Sequence, residues 1–237
     1  MNQKKPNPNG VRTGPIALVV SIIFTLVMYY GPTPDFIYRP LMLLSTLAHE
    51  LGHGLTAALL GAEFDSFKMF EDGSGVAIWR GSVGNIGRAA ISAGGLIGPA
   101  VVAGILFAAA RRPRSAKLML WFFSVALTIL LVLVVRNMFG IVFVSAVAFL
   151  TAIAATKGSE AFCQWYCSFI GAQLGLSVFS RSDYLFTDVA QTELGPMPSD
   201  VAQMAEALFL PYWFWGACCG MLSVGILIFG MVVAFRE

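Results

Sequence analysis

Apolar blocks long enough to cross a lipid bilayer recur along this chain, and they limit its possible folds more than any other feature. A bilayer-spanning helix needs roughly 17–25 mostly apolar residues. Seven segments of about this length follow one another: 15–30, 39–61, 86–110, 117–135, 138–156, 159–178 and 211–235. Charged residues make up 12% of the chain, about half the share found in a typical soluble domain. These features predict an all-α, polytopic integral membrane protein with six to seven transmembrane helices.

Three polar stretches lie before or between these segments. Residues 1–14 are rich in proline and glycine, a composition typical of a disordered tail. Residues 62–84 have the short period of paired strands and predict a polar hairpin directly after the second apolar segment. Residues 180–200 form the third polar stretch. We therefore expect one membrane-embedded domain over residues 15–237, surrounded by the lipid bilayer, and no basic patch of the kind that binds nucleic acid.

The second apolar segment contains the motif TLAHELGHGL, which holds the only two histidines of the chain. His49 and His53 lie four residues apart, so both imidazoles project from one face of a helix. Glu50 is rotated about 100° from His49, where it can reach a bound water without binding the metal. This HExxH pattern predicts a site for one zinc ion, with Glu50 as the catalytic general base. The alternative is a purely structural hydrogen-bonded cluster, but ionisable groups at mid-membrane are costly and usually mark function.

The segment HELGHGLTAALLGAEFDSFKMFEDGSGVAIW, with RNMFG and LPYWFWG farther along, resembles the site-2 protease family of intramembrane zinc metalloproteases. The resemblance is to the branch that lacks a PDZ domain, and it runs from about residue 45 to residue 235. It implies a zinc ion held by His49, His53 and a distal aspartate. It also implies a membrane-protein substrate that is cleaved in or near a transmembrane helix, and a location such as the bacterial inner membrane. The chain departs from the family pattern because it has no NxxPxxxLDG string, which supplies the third ligand in well-studied members.

The third zinc ligand is expected to be an acid, because the sequence has no further histidine and the four cysteines lie in apolar segments typical of core positions. Asp183 is narrowly favoured, since it follows Gln173 at an interval similar to that between the family's asparagine and aspartate. Asp200 is the alternative, since it follows a proline-rich turn and opens a helix, as the family aspartate does. Asp200 could instead serve only as a helix N-cap, and Asp183 only as a solvated loop acid.

A freed substrate segment can add to a strand of the hairpin with few side-chain requirements. The substrate-binding residues predicted on this basis are Gly73, Ser74, Gly75 and Val76. Water must also reach a site at this depth, and three hydroxyl side chains of the motif segment are candidates to line a polar cavity: Ser45, Thr46 and Thr56.

Two other functions are compatible with the sequence. The chain could be a catalytically inactive, protease-like membrane protein that binds clients or metal, although inactive members are expected to lose a motif residue and none is lost here. It could less readily be an ion transporter, but transporters show paired broken helices or repeated halves, and the sequence shows neither. The leading prediction is therefore a zinc metalloendopeptidase.

Overall fold

Helices dominate the computed structural model, which describes residues 13–31, 34–180, 185–193 and 195–236. Eight helices lie within these ranges: α1 (Thr13–Tyr30), α2 (Asp35–Leu59), α3 (Gly84–Ala110), α4 (Pro113–Leu133), α5 (Met138–Lys157), α6 (Glu160–Ser180), α7 (Asp200–Leu208) and α8 (Tyr212–Phe235). The described strands form two antiparallel hairpins: β1 (Glu63–Met69) with β2 (Gly75–Arg80), and β3 (Val189–Thr192) with β4 (Gly195–Pro198). The predicted helical class is confirmed, and a hairpin follows the motif helix as expected.

Four helices of the described residues are long and apolar enough to cross a membrane: α3, α4, α5 and α8. Helix α1 contributes a shorter apolar stretch, Gly14–Met28. The chain is therefore an integral membrane protein. The predicted count of six to seven transmembrane helices is not confirmed, because α2 and α6 carry polar residues such as Glu50 and Gln173 that lower their hydropathy. Both of these side chains are buried.

Helix α1 begins at Thr13, two residues before the predicted start of the first apolar segment. Pro15 lies in its first turn, where backbone N–H groups have no helical partner and a missing N–H costs little. The expected disordered tail therefore overlaps the helix at its last two residues, and residues 1–12 lie outside the described part of the chain.

Helix α3 packs against α2, α6, α7 and α8, and so lies between the motif helix and the C-terminal helices. Small residues let α2 approach it closely. A Cβ atom added to Gly52 of α2 would lie 2.3 Å from the carbonyl oxygen of Gly94, and one added to Gly98 of α3 would lie 2.6 Å from the carbonyl oxygen of Ala48. The glycine-rich face of α3 thus brings its backbone against the turns of α2 that carry the motif.

The β1–β2 hairpin runs back along α2, with its turn beside the middle of that helix. Gly73 in this turn has a φ of 91°, which favours glycine, and its carbonyl accepts a hydrogen bond of 2.7 Å from Thr46 Oγ1. The α4–α5 connection covers the outer edge of β1: the Phe67 N–H donates to the Val134 carbonyl at 2.7 Å, and the Arg136 N–H donates to the Phe67 carbonyl at 2.9 Å. Among the described residues, no strand pairs with the other edge of β2.

The third polar stretch contains the second hairpin and the start of α7, elements for which its sequence gives little signal. Strand β3 pairs with β4 from Val189 opposite Pro198 to Thr192 opposite Gly195. Strand β4 holds two prolines, and proline is rare inside sheets, so the pattern does not read as a strand. Helix α7 begins two residues after β4 ends, and it packs against α3 and α8.

Candidate metal centre

The two motif histidines converge on one point beside α3 and α7. The ring centroids of His49 and His53 are 4.7 Å apart and the rings are perpendicular. Their Nε2 atoms are 3.1 Å apart. The side chains are only 15% and 12% exposed. The i, i+4 spacing therefore places both imidazoles on one face of the helix, as the sequence predicts.

Asp200, the first residue of α7, supplies a third group at this point. Its Oδ2 lies 3.0 Å from Nε2 of His49, and its Oδ1 lies 3.2 Å from Nε2 of His53. Of the described residues, these three form a group whose ligand atoms all lie within 4.8 Å of one another and could hold a metal ion. Asp183, the favoured third ligand from the sequence, lies outside the described residues.

The start of α7 is fixed by Ser199, which leaves Asp200 available to face the histidines. The Ser199 hydroxyl accepts a hydrogen bond of 3.1 Å from the Ala202 N–H and donates one of 2.6 Å to the Thr187 carbonyl. Its own N–H donates to the Asp188 carbonyl at 2.9 Å. The N-cap of this helix is therefore Ser199, and the interpretation of Asp200 as a helix cap is wrong.

The three side chains fit a tetrahedral zinc ion. Zinc with bonds of about 2.0–2.1 Å to nitrogen and oxygen would hold neighbouring ligand atoms about 3.3 Å apart. The two Nε2 atoms are 3.1 Å apart, and each lies near a different oxygen of Asp200, at 3.0 Å from Oδ2 for His49 and at 3.2 Å from Oδ1 for His53. Nδ1 of His53 lies 2.8 Å from the Ile91 carbonyl, so this nitrogen carries the proton and Nε2 presents a lone pair to the group. The buried Oδ2 of Asp200 accepts no hydrogen bond from the described residues. The imidazole nitrogens and the Asp200 carboxylate thus point their lone pairs toward one place, where a cation could accept them and balance the negative charge.

Glu50 lies beside this group without belonging to it. Its side chain is buried, with 7% of the residue exposed, and its Oε2 accepts a hydrogen bond of 2.8 Å from the Ala77 N–H in β2. Gly75 leaves the space for this carboxylate, because a Cβ there would lie 2.7 Å from Glu50 Cγ. Strand β2 therefore holds the glutamate at a fixed orientation next to the two histidines.

Comparison with known protein families places this arrangement in context. A family model described as peptidase M50B-like matches residues 16–230, which includes α2, both hairpins and α7. The chain belongs to this site-2 protease family. The family that the motif resembles is thereby confirmed. No curated protein and no solved structure matches the sequence.

Two cavities of this M50B-like protein open onto the candidate metal centre, and both are lined by His49, Glu50, Gly75 and Thr192. We call the first the serine cavity; its other lining residues include Ser45, Thr46, Ser177, Leu96, Pro99 and Leu185. We call the second the arginine cavity; its other lining residues include Arg88, Gln203, Trp79, Met197 and Pro198. Residues of both hairpins line each of the two cavities. The residues that both cavities share mark where they meet, at the motif.

The residues expected to contact substrate or water divide between these cavities. Ser74 and Gly75 line the serine cavity, and Gly75 and Val76 line the arginine cavity, whereas Gly73 lies in the hairpin turn. Two of the three candidate water-cavity hydroxyls, on Ser45 and Thr46, line the serine cavity. Thr56 does not line either of these two cavities; it packs against α3, where a Cβ on Gly94 would lie 2.1 Å from its Oγ1.

Several contacts at the site come from backbone groups or residues that the sequence does not single out. The Ala77 N–H and the Ile91 carbonyl orient Glu50 and His53, but every residue has such groups, so no pattern reveals them. Arg88 had a readable signal, because it is a cation near the start of an apolar helix. The site also requires a glycine at position 95, because a Cβ there would lie 2.2 Å from Nε2 of His53.

Gly95→Ala is expected to weaken zinc binding by about 10–100-fold, the range for loss of a group that orients a ligand. The added methyl group would force the His53 ring away from Asp200 and the Ile91 carbonyl. Zinc per chain should be measured by mass spectrometry during titration with a chelator. Gly225→Ala in α8 is the matched control, because a Cβ there meets no described atom within 4 Å. Equal zinc affinity in the two variants would contradict this account of His53.

Proposed function

We propose that this protein is an intramembrane zinc metalloprotease that hydrolyses peptide bonds in or near transmembrane segments. The single observation that carries the proposal is the convergence of His49, His53 and Asp200 at 3.0–3.2 Å, with Glu50 beside them. Membership in a family of membrane-embedded peptidases supports it independently. The presence of every motif residue favours an active enzyme over a client-binding relative.

In this proposal His49, His53 and Asp200 hold one zinc ion. When bound, zinc supplies a Lewis acid and lowers the pKa of a bound water to about 7. The Ile91 carbonyl keeps the His53 ring in the tautomer that has its lone pair on Nε2. A site with three protein ligands leaves a fourth position for water, which is the pattern of catalytic rather than structural zinc sites.

Glu50 acts as the general base and then as the general acid. One of its oxygens, Oε2, is engaged by the Ala77 N–H at 2.8 Å, so the other oxygen is the one that takes the proton from the attacking water. The same carboxyl group returns this proton to the leaving amide nitrogen, so that no net proton is consumed. A positioned acid–base group of this kind contributes typically 10²–10⁴-fold to the rate.

Strand β2 aligns the substrate backbone in this proposal. The Ala77 N–H points to Glu50, away from β1. Because successive residues of a strand direct their N–H and C=O groups to opposite edges, Gly75 and Trp79 direct theirs to the same edge as Ala77. A substrate segment unwound from its helix can therefore pair with Gly75 and Trp79, and its backbone then passes Glu50. Unwinding is needed because a regular helix keeps its carbonyls in internal hydrogen bonds.

Metal removal tests the proposal. Protein purified in detergent is expected to contain about one zinc per chain and to cleave a co-reconstituted single-span membrane protein. Treatment with a chelator should lower the cleavage rate by at least about 100-fold, and one equivalent of zinc should restore it. His53→Ala should abolish both zinc content and cleavage, because it removes a ligand. Undiminished cleavage by metal-free protein would refute the zinc mechanism.

A further inference from the structure

The two cavities that meet at the motif differ in the chemistry of their linings. Beyond the shared residues, the described lining of the serine cavity includes hydroxyl side chains and the apolar side chains of Leu96, Pro99 and Leu185, but no charged group. The lining of the arginine cavity includes Arg88 and Gln203. Of the described residues that line the two cavities, Arg88 is the only lysine or arginine. A peptide that runs through both cavities therefore meets an uncharged lining with apolar side chains on one side of the motif and a cation on the other.

Arg88 of α3 lies close to the candidate metal centre and lines the arginine cavity. It lies three residues before Ile91, whose carbonyl orients His53, and Arg88, Ile91 and Ser92 all line the arginine cavity. Residues three and four apart occupy the same helix face, and one helical turn rises about 5.4 Å. The Arg88 side chain is therefore attached about one helical turn before Ile91, whose carbonyl orients His53.

The present partner of Arg88 holds it weakly. Among the described residues, Arg88 forms an ion pair with Glu206 of α7, with 4.0 Å between Nη2 and Oε2, and the two side chains are 47% and 63% exposed. Ion pairs this exposed contribute little to stability. Arg80 offers a contrast: it pairs with Asp65 at 3.3 Å and does not line either cavity. Arg88 can therefore exchange Glu206 for another carboxylate at small cost.

We infer that Arg88 is a specificity-determining residue, which binds a carboxylate side chain of the substrate on the arginine-cavity side of the cleaved bond. The inference rests on the proposed proteolytic function and adds the substrate class. A guanidinium binds a carboxylate with two parallel hydrogen bonds, and such charge-assisted bonds are about twice as strong as neutral ones. In the serine cavity, Leu96, Pro99 and Leu185 offer apolar contacts to the hydrophobic part of a transmembrane segment. The preferred substrate is thus cleaved where an apolar segment gives way to an acidic residue.

Peptide binding in a Glu50→Gln background tests this without the need for cleavage. The probes are synthetic peptides with an apolar segment around a central Gly-Ala pair, and with Asp, Asn or Lys at each of three positions on either side. With Arg88 present, Asp peptides should bind about tenfold tighter than Asn peptides, at positions on one side only. Arg88→Ala should remove this preference, and Arg88→Glu should shift it toward Lys. Arg80→Ala is the matched control and should leave the preference unchanged.

Three results would overturn the inference. The first is equal binding of Asp and Asn peptides to protein that retains Arg88, or no binding of any peptide. The second is a preference that survives in Arg88→Ala. The third is an Arg88→Ala effect that is the same for all peptides and appears only in vesicles with anionic lipid, which would assign the arginine to lipid headgroups. Failure of the proteolytic function is a different result: protein with Glu50 would discriminate among the peptides yet cleave none.

Discussion

Glu50→Gln is expected to lower the rate of peptide cleavage by about 10³-fold and to leave the zinc content per chain unchanged. Glutamine has nearly the same shape, and its amide oxygen can still accept the hydrogen bond of 2.8 Å from the Ala77 N–H. What is lost is the basicity that removes a proton from water. Single-turnover cleavage of a reconstituted single-span substrate gives the rate, and mass spectrometry gives the zinc content.

Glu160→Gln is a suitable control for this variant, because Glu160 is an exposed carboxylate at the start of α6 that lines neither cavity and does not belong to the group of possible metal ligands. Its cleavage rate should stay close to that of the unmodified protein. A Glu50→Gln variant as fast as the unmodified protein would remove Glu50 from the mechanism. Zinc binding and peptide binding without cleavage, even when Glu50 is present, would favour a client-binding protein instead.

The part of the site that lies on one helix could be predicted from the sequence. The spacing of His49 and His53 determines that their rings share a face, and the position of Glu50 between them determines that it points elsewhere. Both relations depend only on helix geometry, so they hold in the structure. The hairpin after α2 could be predicted for a similar reason, because its strands are neighbours in the sequence and their pairing is local.

The third member of the possible metal-ligand group, Asp200, could not be predicted in the same way. Asp200 reaches the histidines because α7 packs against α3 and α8. It is far from the motif along the chain, so no local sequence pattern connects the two. The sequence offers only the Ser-Asp pair that opens α7, which is equally typical of an ordinary helix start. The same limit applies to Arg88, whose role depends on which cavity its side chain enters. Tertiary packing decides both.

Helices α2 and α6 are less apolar than the four candidate membrane-spanning helices for a physical reason. A membrane-spanning helix is recognised because its whole circumference is apolar, but these two helices turn polar groups inward. Ser45 of α2 and Ser177 of α6 form a hydrogen bond of 2.8 Å at the serine cavity, and Gln173 donates to Thr25 of α1 at 3.1 Å. Their mean hydropathy falls because they build the interior of the site.

The second large effect concerns the proposed third ligand: Asp200→Asn is expected to weaken zinc binding by more than about 100-fold. Among the described residues, Asp200 has the only carboxylate within 3.2 Å of both imidazoles. Asparagine keeps the side chain's size, and the Ser199 cap that starts α7 is retained. Asp183→Asn is the decisive companion, because Asp183 is the rival ligand on sequence grounds. Zinc titration and thermal unfolding of both metal-free variants separate loss of a ligand from loss of the fold. An emptied site in Asp183→Asn, with full zinc in Asp200→Asn, would mean that Asp200 only pairs electrostatically with the histidines.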